Sequence, residues 1–216
     1  MSVVLALEIE TERLDRVKAD ILVTPFFACD RPLRGPAARA DWRLCGMISD
    51  RLQREELSGA LGEAALFPTG GRMRAPLLLA IGLGPRPDFG EETLRELARS
   101  AARRLLGLRS GVAGIALPGD TTSRIDTHRA VGILLEGVAA VLAERPSALR
   151  LRLVLAAEES GRARSGILEA ASGLSTSELA IRLERSSGAP PHRRATPATP
   201  TAAPAGKSAP PIASRR

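Results

Sequence analysis

Pro76-Leu77-Leu78-Leu79-Ala80-Ile81-Gly82-Leu83-Gly84 is an unbroken apolar run, opened by a proline and closed by two glycines. A run this short with no polar alternation predicts a strand buried on both faces, the kind that sits inside a sheet covered by helices. The rest of the chain then divides into cover and neighbouring strands.

Working outward, Val3 to Ile9 and Ala19 to Phe27 are rich in β-branched and aromatic residues and predict two earlier strands. Leu33-Arg34-Gly35-Pro36 forms a turn-rich lead into a helix over about 37–56, with Trp42, Cys45, Ile48 and Leu52 spaced as a core-facing stripe. Glu63 to Pro68 predicts a strand just before the central run. After the run, Asp88 and Glu91 match a capping box. A helix over 91–106 then places Leu94, Leu97, Ala98, Ala101 and Leu105 on one face. Val112 to Pro118 predicts a strand, and Asp126 or Thr127 caps a helix carrying Val131, Leu134, Leu135, Val138 and Leu142. Leu149 to Ala156 alternates, as expected of a strand near a sheet edge. A shorter helix around 165–171 and another segment over 177–185 close the ordered part. Alternation of this kind implies an α/β fold with a mostly parallel or mixed sheet and helices on both faces.

Charge divides unevenly along the 216 residues. Residues 186–216 hold five of the 31 basic groups (Arg193, Arg194, Lys207, Arg215, Arg216) and none of the 24 acidic ones. The remainder thus carries 26 against 24, and the overall charge of +7 is mainly a property of the tail. Seven prolines with few large apolar residues predict that 186–216 is a disordered tail, leaving a domain over 1–185. An aromatic share of 2% leaves few surfaces on which nucleic-acid bases can stack. Two cysteines without a signal peptide predict reduced thiols. No apolar stretch reaches the roughly 20 residues of a membrane span, so the expected compartment is the cytoplasm, with no membrane partner.

Catalytic and metal chemistry is sparse. The two histidines, His128 and His192, belong to no H-E-x-x-H or C-x-x-C pattern, which leaves no metal site and calls for no cofactor. His128 and the pair Glu158–Glu159 read as solvated groups. The serines lack G-x-S-x-G context. Two loops remain as ligand candidates. Arg34 and Gly35 stand where a helix N-terminus and a guanidinium can hold an anion. Gly82 and Gly84 follow a strand and lead toward a helix, although Pro85 and Pro87 remove amides that a phosphate cradle would use.

The order of several stretches resembles the N-terminal domain of the leucyl aminopeptidase family. They are Ala19–Phe26, Leu33-Arg34-Gly35-Pro36-Ala37-Ala38, Gly62–Pro68, Leu78–Gly84 and Ala116-Leu117-Pro118-Gly119. Leu151 to Glu159 is similar to that domain's last strand, and Ser177 to Leu183 to the start of its connecting helix. The resemblance covers about residues 3–185 and implies a three-layer α/β/α macro-like sandwich. In that family the peptidase chemistry belongs to a separate two-metal domain, whose N-T-D-A-E-G-R signature has no counterpart here. The resemblance therefore implies a non-catalytic module for assembly or regulation, with an aminopeptidase catalytic subunit or a second copy as partner. Two alternatives are a nucleotide or ADP-ribose binder using the Arg34-Gly35-Pro36 turn, and a non-specific nucleic-acid contact through the basic tail.

Overall fold

The computed structural model describes residues 3–118 and 125–184. They build a seven-stranded sheet from β1 (Val3–Glu10), β2 (Ile21–Phe26), β3 (Ala64–Pro68), β4 (Leu77–Gly82), β5 (Val112–Ala116), β6 (Leu149–Val154) and β7 (Leu179–Leu183). The strand order is β3-β4-β2-β5-β6-β1-β7. All neighbours are parallel except the antiparallel pair β3–β4. The helices are α1 (Gly35–Arg43), α2 (Met47–Gln53), α3 (Glu91–Gly107), α4 (Thr127–Glu144) and α5 (Ser160–Leu174). The expected α/β fold with a mixed, mostly parallel sheet is the one the chain adopts.

The central run is β4, and its side chains go to both faces. Leu79 and Ile81 join a core with Ile21, Val23, Leu151 and the inner sides of α3, α4 and α5. Leu78 and Ala80 point the other way, into a second core with Leu22, Phe26, Leu44, Ile48 and Leu52. Burial on both sides is why the run carries no polar alternation. The second face is also covered by residues 11–20, which cross from β1 to β2 and bury Leu14 and Val17.

Four sequence expectations change. The predicted helix over 37–56 is two helices, because Cys45 (φ 56°) and Gly46 (φ 82°) turn left-handed and end α1. The break resets the periodicity: Ile48 and Leu52 stay buried, but Trp42 is 72% exposed and Cys45 is exposed as well. Asp88 makes no capping box, since it sits in a 3-10 turn over Arg86–Asp88 and Gly90 occupies the cap position of α3. Ser177 to Leu183, likened to the start of a connecting helix, supply β7, whose Leu179 and Ile181 alternate into the core and pair beside β1. Finally, β6 lies inside the sheet between β5 and β1. It alternates because Arg152 pairs across the register with buried Glu8 at 3.1 Å, on the part of the second face that α1 and α2 do not cover. The Pro/Ala-rich tail 186–216 and Gly119 lie outside the described residues.

Candidate functional site

β1 and β2 send their connections to one face of the sheet, whereas β5 and β6 send α4 and α5 to the other. Divergence of this kind opens a crevice beyond the carboxyl ends of parallel strands. Here it is a cleft of about 400 Å³, lined by Thr11 to Leu14 after β1, Leu117 and Pro118 after β5, and Leu155 and Ala156 after β6. Gly35, Pro36 and Arg39 of α1, with Thr127 and Ala130 of α4 and Glu159, complete its walls.

The two ends of the cleft differ electrically. α1 has no side-chain cap and no acidic residue in its first turn, so its positive end lacks a protein anion. Arg39, one turn along the same helix face from Gly35, adds a guanidinium with no carboxylate partner among the described residues. α4 is already capped: the Asp126 carboxylate accepts from the amides of His128 (2.9 Å) and Arg129 (3.2 Å). Beside it, Glu159 accepts the Thr127 hydroxyl at 2.5 Å and Arg162 Nη1 at 3.2 Å. Those donors, the Thr127 hydroxyl foremost, hold the Glu159 carboxyl below the usual range. An anionic group is favoured at the α1 end, and a hydroxyl or N–H donor at the carboxylate end.

Of the four sequence candidates, only Gly35 lines this cleft. Arg34 is the exposed cap residue preceding it. Gly82 and Gly84 lie elsewhere and serve packing. A Cβ at Gly82 would overlap the backbone of Gly59 and Ala60. Gly84 (φ 71°) donates its amide to Gly59 O at 2.9 Å and accepts from the Ala28 amide at 3.0 Å. Sequence reasoning missed Arg39 and misplaced Glu159. The latter is a wall of the cleft with a side chain 19% exposed, and only its neighbour Glu158 is solvated. The four-residue spacing from Gly35 to Arg39 was the available signal. His128, read as a solvated residue, is 38% exposed and pairs through Nε2 with Glu169 at 2.9 Å.

Residues 25–141 match the family described as "Cytosol aminopeptidase family, N-terminal domain". The chain belongs to that family. Only its N-terminal domain is matched. A probable cytosol aminopeptidase of Streptomyces griseus is 35% identical over 119 residues, which is 52% of this chain and 23% of that protein. The chain thus spans about a quarter of that relative's length. Among solved structures, a tomato leucine aminopeptidase mutant superposes with a TM-score of 0.60 at 16% identity, over 77% of this chain and 36% of the other. An Oceanobacillus iheyensis macrodomain with ADP gives 0.60 at 12% identity, over 74% and 89%. The aminopeptidase N-terminal domain and the macrodomain therefore share this sandwich.

Among the described residues no group of three or more His, Cys, Asp or Glu stands where it could hold a metal ion. Nor is any described helix long and apolar enough to cross a membrane.

Proposed function

We propose that this chain is a non-catalytic interaction module of the aminopeptidase family that acts in assembly or regulation on a catalytic aminopeptidase chain in the cytoplasm. The observation that carries the reading is Trp42. It is the protein's one tryptophan and stands 72% exposed, beside a shallow hollow formed with Pro32, Leu33, Ala38 and Cys45. Burying a large aromatic removes much apolar surface from water, and tryptophan is enriched among the residues that dominate interfaces. The family supports a catalytic aminopeptidase chain as the partner. In the Streptomyces griseus relative the matched segment is 23% of the chain, so the domain there coexists with a much larger remainder. Tagged full-length protein, purified from its own host, is expected to bring down an aminopeptidase identifiable by mass spectrometry. A strictly monomeric eluate without one contradicts the reading.

A second reading rests on the strand-end cleft. Arg39 with the open end of α1 suits a phosphate, and Glu159 suits a ribose hydroxyl, so the cleft fits a ligand of the nucleotide or ADP-ribose type. The shared sandwich of the macrodomain with ADP supports it. Calorimetry with ADP-ribose should give heat that Arg39→Ala weakens about tenfold, the scale of one charged hydrogen bond. No heat at millimolar ligand rejects it.

A further inference from the structure

A second groove, of about 880 Å³, runs on the face opposite α3–α5, between the crossing segment 11–20 and the β3–β4 turn. Its walls include Ala19, Asp20 and Val112, at the amino ends of β2 and β5, so it reaches the end of the sheet away from the strand-end cleft. Two triplets dominate it, Arg16-Val17-Lys18 and Arg72-Met73-Arg74. In each the middle residue is buried in the second core, Val17 at 2% and Met73 at 6% exposure, while both flanking cations are exposed. The buried centres anchor the two segments to the second core and leave the four flanking cations at the surface of the groove.

These four side chains have no carboxylate partner among the described residues, whereas the carboxylates of the same groove are mostly engaged. Asp15 is buried between Arg43 (2.8 Å) and Arg13 (3.2 Å). Asp20 accepts the amides of Gly111 and Val112, each at 2.9 Å. Glu10 is buried, 3.9 Å from Arg152. Glu12 and Asp20 stay exposed without a cation, two carboxylates against four unpaired cations. The groove therefore presents positive charge that the protein does not neutralise.

Its walls are also fixed before any ligand arrives. Thr69 Oγ1 donates to Ala75 O at 2.6 Å across the β3–β4 turn, and its amide donates to Pro76 O at 2.9 Å. The Arg74 amide donates to Asp15 O at 3.2 Å, which ties the turn to the crossing segment. No aromatic residue lines the groove, so nothing in it stacks on a base. Guanidinium forks match phosphate oxygens, and three of the four cations are arginines.

We infer that this groove binds a short chain of phosphate groups, with one cation pair on each side of it. Its four cations line neither the strand-end cleft nor the hollow beside Trp42.

The test is calorimetry on the full chain with inorganic tripolyphosphate as probe. Tripolyphosphate should bind more tightly than orthophosphate or citrate, and more weakly as salt is raised, because exposed charges are screened over about 10 Å at 0.1 M. The double variants R16Q/K18Q and R72Q/R74Q should each lose about tenfold or more, since each removes two charged contacts. Every variant retains the basic tail, so unchanged affinity in both would assign binding to the tail and overturn the groove. Citrate binding as tightly as tripolyphosphate would overturn the phosphate assignment. Because the substituted side chains are exposed and unpaired, the variants should keep the parent's melting temperature, and a fall of many degrees would be a separate structural effect. In that case R72K/R74K, which keeps the charge, must bind within a few fold of the parent for the groove to stand.

Discussion

Glu159 is held by a buried hydroxyl, since Thr127 is itself almost fully covered. Its carboxyl lies below the ordinary 4.5 because donors favour the charged form. A depressed carboxylate contributes stability that is present above the unfolded value and is lost as pH falls through the folded one. Thr127→Ala should therefore raise the Glu159 titration toward 4.5, read by carboxyl-carbon NMR. The same variant should lose more stability at pH 7 than at pH 3, and an unmoved titration would contradict the hydrogen bond. Asp15 obeys the same sign by a different balance. Burial pushes its carboxyl up, but the Arg43 and Arg13 guanidiniums outweigh burial and hold it below its ordinary value. Neither arrangement is legible from sequence. Glu159 stands 32 residues from Thr127, and Arg43 stands 28 from Asp15, so only the folded chain brings them together.

Between elements, the packing of the 59–62 loop onto the end of β4 is the most constrained joint. Gly62 and Gly82 exchange backbone bonds with their neighbours there: the Gly62 amide donates to Gly82 O at 3.0 Å, and the Gly82 amide to Glu63 O at 2.8 Å. A methyl at Gly82 has nowhere to go, because what it meets is backbone rather than a movable side chain. Gly82→Ala is expected to cost about 2–4 kcal/mol in urea unfolding, in the range of severe core overpacking. A cost below about 0.5 kcal/mol would show that the loop yields. At this scale the sequence spoke clearly where a single period ran unbroken. The apolar face of α3 and the doubly buried run of β4 were both readable. It failed where a period was interrupted without a proline, as at Cys45–Gly46, since a cysteine in the left-handed region gives no warning. It failed again at β7, five residues of alternation lying where the family likeness implied a helix.

For the whole molecule, the fold was legible because its strands alternate with helices and the central strands are continuous apolar runs. What the sheet and helices leave on the surface was not. Trp42 was read as core because helical spacing places it with Cys45 and Ile48, whereas α1 buries Ala37, Ala40 and Asp41 and so turns Trp42 outward. The same exposure makes the stability effect of its removal small, within about 0.5 kcal/mol for a surface position, so Trp42→Ala separates binding from folding. Whether this chain serves a catalytic aminopeptidase is read by purifying tagged parent and Trp42→Ala proteins from the native host and quantifying co-eluting aminopeptidase by mass spectrometry. An aminopeptidase is expected in the parent eluate and should fall about tenfold or more in the variant, as for a central interface aromatic. Equal amounts in both eluates, or none in the parent, would contradict it.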